Sequence, residues 1–415
     1  MSADRSKHTA HLLIFLTVLI DLIGFGILIP ILQPFAVQFG ATDQQAMWLM
    51  GIYSLMQFFF SPVLGRISDR VGRRPVIIAS LLGSMLGYLI IAQAANPVLS
   101  MGGKLSLFLL FFARVVTGIC GASFSTAQAY LADITAPEKR AGVMGMIGAA
   151  FGLGFVLGPV IGGLTSSTRF GPSLPFYIAA AMSLANAVFC MTSLPETLPP
   201  DRRGTPRAHA SIRETMRRMS HTHFPAVLVS NFLVIMAFSI MTATFVIWAG
   251  RALGYSQRGI GLLFGFVGMI AILIQGGLIR RIARNGNERR LALAGAVAMT
   301  LSLALLPWGV ALPALLGIMG LLSTGNSLAT PTLNTLASRC GTVQNQGETM
   351  GAMSGAGSLG RFFGPFIGGW VMKLAPGRYE WAFWLAAAIM AVAAVAIARI
   401  RPAPPEDRPP TGPTP

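Results

Sequence analysis

Residues 144–163 read MGMIGAAFGLGFVLGPVIGG, and residues 350–369, displaced by 206, read MGAMSGAGSLGRFFGPFIGG. Ten of the twenty positions are identical, among them Gly154/Gly360, Gly158/Gly364, Pro159/Pro365 and Gly162-Gly163/Gly368-Gly369. Apolar glycine-rich helices share some residues through composition alone. A common GPxIGG with matched glycines upstream is too ordered for that source, and it predicts a chain built twice.

Outward from this repeat, runs of about 20 mostly apolar residues, the length that crosses a bilayer, recur along the whole chain. They lie near 12–36, 46–64, 75–95, 104–131, 141–164, 173–193, 224–249, 258–279, 290–309, 311–335, 349–372 and 380–399. The first is too long for a signal-peptide core and lacks a small-residue cleavage site after it. A polar stretch with three prolines at 196–222 separates six spans from six. The expectation is an all-α polytopic membrane protein of twelve transmembrane helices, two six-helix pseudo-repeats around a central cavity. Its parts are an N-terminal bundle (1–195), a cytoplasmic linker (196–222), a C-terminal bundle (223–401) and a Pro-rich disordered tail (402–415). Such duplicated halves suit a transporter that rocks around a midplane site.

Composition agrees. Of 415 residues 53% are hydrophobic and 11% charged, against about 25% charged in soluble domains. The net charge of +17 invites a nucleic-acid reading, which the placement of the charges removes. Lys104, Arg169, Arg251, Arg258, Lys373 and Arg378 fall in loops on one side, Arg114 and Arg361 within spans, and the other 23 of 31 Lys and Arg on the N-terminal side. This asymmetry puts both termini in the cytoplasm. Cys120, Cys190 and Cys340 have neither metal-ligand nor disulfide spacing. No cofactor, metal or nucleic-acid partner is expected, and the chain is read as a monomer in lipid.

Three features carry chemistry. The loop from Gly65 to Pro75 reads GRISDRVGRRP. Gly65 and Gly72 permit a tight reversal, Asp69 can accept helix N-terminal amides or pair with an arginine, and Arg70, Arg73 and Arg74 sit at the headgroups. The spacing suits a conformational latch better than a plain topology anchor. The corresponding loop of the second half, from Gly277, has Arg281 where Asp69 would fall, so the latch is one-sided. In the fifth span Gly154, Gly158 and Gly162 share one helix face and allow close helix approach, with Pro159 and Gly163 beside them. That face is a packing seam, a gate, or both. Finally, Asp21 is the one acidic residue well within a span, where a charge costs about 2.5–3.5 kcal/mol on insertion scales. Arg114 is placed similarly with the opposite sign. The two are expected to face one cavity and interact directly or through water. Burial favours the protonated carboxyl and a nearby guanidinium the ionised one, so their separation sets proton loading.

The candidates for a mixed polar and apolar substrate cavity are Gln33, Gln57, Gln128, Asn186, Asn231, Gln275, Asn326, Asn334, Arg361, Phe25, Phe155 and Trp248. Each alone is more often a helix–helix contact than a ligand, and Arg361 could equally snorkel to the interface.

Together these motifs resemble the major facilitator superfamily, and within it the twelve-helix drug/proton antiporters. GRISDRVGRRP is similar to the family's loop between its second and third helices, Arg114-Val-Val-Thr-Gly-Ile-Cys-Gly121 to its fourth-helix motif, and Gly154–Gly163 (GFVLGPVIGG) to its antiporter motif. AYLADITAPEKRAGVMG, from Ala129 to Gly145, most resembles the tetracycline/proton antiporters. The resemblance implies proton-driven export of small amphipathic, drug-like compounds by alternating access, from a bacterial cytoplasmic (inner) membrane. It also implies two further membrane carboxylates, and their places here are Gly87 and a position near Met299. Their absence makes tetracycline a doubtful substrate and leaves Asp21 as the sole proton carrier. A metabolite importer or facilitator of the same fold is the alternative. A lipid-modifying membrane enzyme would need a catalytic cluster, and His8, His11, His209, His221 and His223 lie only in termini or the linker, so no enzyme is expected.

Overall fold

The computed structural model describes residues 2–95, 103–135, 140–166, 173–198, 222–278, 287–340 and 346–400, with Thr168, Gly171, Arg203, Met216, Arg217 and Ile282 between them. Of residues 2–9, 140–149, 151 and 346 it describes the backbone alone. Most of the linker expected at 196–222, the whole tail at 402–415 and Arg281 lie outside the described residues.

The first half comprises α1 (Ser2–Leu28), α2 (Leu32–Gln38), α3 (Asp43–Val71), α4 (Arg73–Ala94), α5 (Gly103–Gly121), α6 (Phe124–Ile134), α7 (Arg140–Ser166) and α8 (Leu174–Ser193). The second comprises α9 (Phe224–Arg251), α10 (Gln257–Leu273, continued by a π turn at Ile274–Leu278), α11 (Glu288–Leu305), α12 (Leu312–Cys340), α13 (Gln346–Leu374) and α14 (Glu380–Ala398). Ten segments among the described residues are long and apolar enough to cross a membrane. Helices α7 and α13, of 27 and 29 residues, have the length and complete two sets of six.

Two expected spans are each a pair of helices. The first breaks at residues 29–31, where Pro30 has no N–H to donate. The chain crosses the break through i→i−3 bonds, Ile29 N–H to Gly26 O (3.1 Å) and Ile31 N–H to Leu28 O (3.2 Å), and α2 begins at Leu32. The fourth breaks after Gly121 into α5 and α6. Helix α3 starts at a capping box, with Thr42 Oγ1 accepting from Gln45 N–H and Gln45 Oε1 from Thr42 N–H, which satisfies two otherwise orphaned donors.

The packing repeats as the sequence does. Helix α1 lies on α7 as α9 lies on α13, α4 on α8 as α11 on α14, and α4 on α5 as α11 on α12. Between the halves α7 packs on α10 and α3 on α13. These inter-half contacts close the end away from the N-terminus. There a Cβ on Gly163 would stand 3.0 Å from Gly261 Cα, and one on Gly369 3.3 Å from Gln44 Cα. Arg251 at the end of α9 also pairs with Asp43 at the start of α3 (2.6 Å). Large apolar side chains such as Phe108, Leu273, Trp308 and Trp370 are exposed on the outside, as suits a body solvated by lipid.

Candidate functional site

Asp21 sits on α1, half-buried, and accepts a hydrogen bond on Oδ2 from the Tyr53 hydroxyl of α3 (3.3 Å). Arg114 on α5 is fully buried. Its guanidinium carbon lies 4.7 Å from the Tyr53 ring centroid and 5.8 Å from that of Phe25. Its Nε and Nη2 donate to the carbonyls of Leu49 (3.2 Å) and Met50 (3.4 Å). Gly118, one turn after Arg114, lets α5 approach this closely, since a Cβ there would be 2.6 Å from Tyr53 O.

Asp21 and Arg114 form no direct ion pair. They are joined through Tyr53, which meets the carboxylate with its hydroxyl and the guanidinium with its ring. Sequence reading missed Tyr53. Its signal was available, because a tyrosine amid an apolar span needs a partner for its hydroxyl. Tyr53→Phe keeps the ring over Arg114 and removes one bond to a charged group. Coupled transport is expected to fall roughly tenfold, the equivalent of about 1.5 kcal/mol, in initial-rate measurements at constant expression.

In the signature loop, Arg73 is buried and central. It pairs with Asp69 (2.6 Å) and Asp133 (3.4 Å) and donates to Ser68 Oγ (2.5 Å). Arg70 is exposed, while the Arg74 side chain donates to Met191 O at the end of α8. The reversal is made at Gly72 alone, with φ of 110°. Gly65, expected to share it, is buried inside α3. The amides at the start of α4 are taken by a residue not anticipated, Glu196. Its carboxylate accepts from the N–H groups of Arg73 (2.9 Å), Arg74 (3.2 Å), Thr197 (3.0 Å) and Leu198 (3.1 Å). Both the α4 dipole and the four donors favour a negative charge there. Glu196→Gln is expected to cost about 1.5–3 kcal/mol, read as a lower melting temperature of the purified protein.

The second half repeats this corner with one reversal. Glu288, buried at the start of α11, pairs with Arg339 near the end of α12 (2.5 Å), and Arg289 donates to Ala398 O at the end of α14. Glu288 and Arg289 thus take the places of Arg73 and Arg74, and Arg339 that of Asp133.

The glycine helix α7 has two working faces. Gly154, Gly158 and Gly162 meet Leu22, Ile23, Gly26 and Ile27 of α1, while Pro159 and Gly163 meet Gly261 of α10. One face seals the first half and the other lies between the halves. In α13, Gly360 and Gly364 meet Phe232, Met236 and Ser239 of α9, and Gly369 meets α3.

The candidate amides do not converge. Gln57 alone joins the Tyr53 region, donating to Gly121 O (3.1 Å) and accepting from Arg361 across the halves (3.2 Å). Asn231 donates to Met353 O, Gln275 to Ser327 Oγ, and Asn186 to Thr17 Oγ1, while Asn326 accepts from Thr330. All four make bonds within one half or one helix. Gln33 is fully buried without a side-chain partner, Gln128 is half-buried on α6 and Asn334 is exposed. Phe25 packs against Tyr53 and Phe155, and Trp248 against Phe245 and Phe383. Gly87 is buried against Thr117, and Met299 is fully buried against Gly325.

The family model for the Major Facilitator Superfamily matches residues 14–365 and 342–415. The chain belongs to the major facilitator superfamily. Among relatives, this superfamily member is 32% identical over 365 residues to the tetracycline resistance protein, class C, of Escherichia coli, covering 87% of this chain and 89% of that one. It is 27% identical over 413 residues to the major facilitator superfamily domain-containing protein 10 of Mus musculus, covering 87% of each. The crystal structure of the human organic anion transporter MFSD10 (TETRAN) superposes with a TM-score of 0.71 at 24% identity, over 94% of this chain and 99% of that one. The chain is a multi-pass membrane transporter of the expected fold, and its relatives are transporters, not enzymes.

Proposed function

We propose that this transporter exports small amphipathic compounds in exchange for protons by alternating access, with Asp21 as the proton carrier. The observation that carries this reading is the placement of Asp21. It is the only carboxylate well inside a span among the described residues, held by Tyr53 one ring away from Arg114. A carboxylate at that depth persists where it has a function. A tetracycline resistance protein among the relatives supports drug-like cargo and a bacterial inner membrane. The absence of a carboxylate at Gly87 and near Met299 weighs against tetracycline itself.

With both termini in the cytoplasm, the closed end of the molecule faces outward and the signature loop faces inward. Asp69, Arg70, Arg73 and Arg74 then act as a latch on the inner side, with Asp69 held by Arg73 while the outer side is closed. The proton gradient supplies the energy, no cofactor takes part, and a monomer suffices. Reconstitution into proteoliposomes with an internal pH dye tests the reading. Exchange requires that added substrate drive proton movement with no gradient imposed, whereas substrate equilibration without proton movement would establish a facilitator.

A further inference from the structure

Helix α11 carries an exposed stripe at helical spacing, formed by Arg290, Ala294, Val297, Leu301 and Leu305. Much of this stripe borders a groove of about 460 Å³ between α11 and α12. Arg290 stands at one end of it, and Leu293, Ala294, Val297, Ala298 and Leu301 of α11 and Leu321 of α12 line the rest. Apart from Arg290, no lining side chain is polar. The two helices cross closely beside it, since a Cβ on Gly295 would stand 2.5 Å from Gly325 O. From Arg290 to Leu301 the helix rises roughly 16 Å, at about 1.5 Å per residue. That is about half of a hydrocarbon core of roughly 30 Å, so the groove is one leaflet long. Eight spans precede α11, which puts the Arg290 end on the side of the N-terminus. The Arg290 side chain has no hydrogen-bond or ion-pair partner among the described residues. The acid nearest in sequence, Glu288, is taken by Arg339, and Arg289 donates to Ala398 O.

We infer that this groove is a binding site for one anionic phospholipid, with its phosphate on Arg290 and an acyl chain laid between α11 and α12. The whole guanidinium fork of Arg290 is unused, and such a fork matches two phosphate oxygens at once. Basic pockets between spans at headgroup depth favour anionic lipid for this reason. A zwitterionic headgroup brings its own cation beside the phosphate, so the arginine gains less from it. An arginine that served only as a topology anchor would need no leaflet-long apolar groove leading away from it. The first half lacks the combination. With Glu288 and Arg289 in the places of Arg73 and Arg74, Pro75 stands where Arg290 does. The groove of about 310 Å³ between α1 and α8 is lined by seven residues, Ala185 and Phe189 among them, and none is charged. The site therefore belongs to the second half alone, next to the Glu288–Arg339 pair that joins α11 to α12.

Native mass spectrometry of the purified full chain tests this, with dioleoyl phosphatidylglycerol or dioleoyl phosphatidylcholine titrated into the detergent. The two probes share their chains and differ in net charge, and the reading is the affinity of the first lipid retained. Wild type is expected to hold phosphatidylglycerol roughly fivefold or more tighter, the value of one basic side chain at a lipid surface. Arg290→Gln should bring that ratio close to one, and Arg290→Lys should keep most of it. Ala294→Trp fills the groove while leaving Arg290 in place, and should weaken the first phosphatidylglycerol severalfold. Both positions are exposed, so neither substitution disturbs the packed interior. Ala185→Trp, in the uncharged groove of the first half, should leave the wild-type ratio unchanged. A wild-type ratio near one overturns the inference. So does a ratio that survives Arg290→Gln, or phosphatidylglycerol held as tightly by Ala294→Trp as by wild type.

Discussion

Substituting Asn for Asp21 is expected to yield a folded protein whose substrate no longer drives protons across the membrane. The substitution keeps the shape of the side chain, and the amide oxygen still accepts from Tyr53, whose hydroxyl is the one hydrogen-bond partner described for the carboxylate. What vanishes is the group that ionises. No other carboxylate among the described residues lies deep in a span, and none stands at Gly87 or near Met299, where the resemblance to the tetracycline antiporters implies two more. No second acid is therefore available to take over. In proteoliposomes, substrate-driven pH change should fall to the level of protein-free vesicles, while downhill substrate movement can persist. Undiminished proton flux in Asp21→Asn would reassign the coupling to another residue.

The second large effect is structural. Gly158 faces α1 so closely that a Cβ would stand 2.6 Å from Gly26 Cα and 2.8 Å from Ile23 O. Both obstacles are backbone, which cannot swing aside as a side chain can. Gly158→Ala should therefore reach or exceed the roughly 1–3 kcal/mol typical of overpacking, and Gly158→Leu should leave no monodisperse protein after detergent extraction. Gly152, on the same helix, faces open space, and a Cβ added there would meet no atom within 4 Å. Gly152→Ala should change stability by no more than about 0.5 kcal/mol. Equal melting temperatures for Gly158→Ala and Gly152→Ala would show that α1 and α7 can part without cost.

Much of this architecture was legible in the sequence because lipid imposes a simple rule. Every spanning backbone must satisfy itself, so apolar length reveals spans. The 206-residue repeat announced the doubled packing, down to Gly158 on α1 and its counterpart Gly364 on α9. The break at Pro30 was harder to read, because an apolar run on both sides hides a lost hydrogen bond. The site was legible only in its charged members. Asp21, Arg114 and Arg361 stand out because charge is rare in a span. Tyr53 does not, since a tyrosine is also ordinary apolar bulk. Glu196 was assigned to a linker by its polar neighbours, although its carboxylate closes the signature corner. The scattered amides illustrate the reverse limit, as a polar side chain in a helix bundle finds a carbonyl or hydroxyl nearby wherever it is.

The reversed corner of the second half bears on how such a chain assembles. Two halves with nearly the same helices, made one after the other, risk trading partners, as any duplicated part can be fitted into the wrong socket. Here α4 arrives with Arg73 and needs the acid at Asp133, whereas α11 arrives with Glu288 and needs the base at Arg339. If α4 settled against α12, Arg73 would confront Arg339, and α11 against α6 would set Glu288 on Asp133. Like charges at such a corner carry a penalty that the correct pairing does not. The inversion thus penalises an exchange of α4 and α11 between the two bundles.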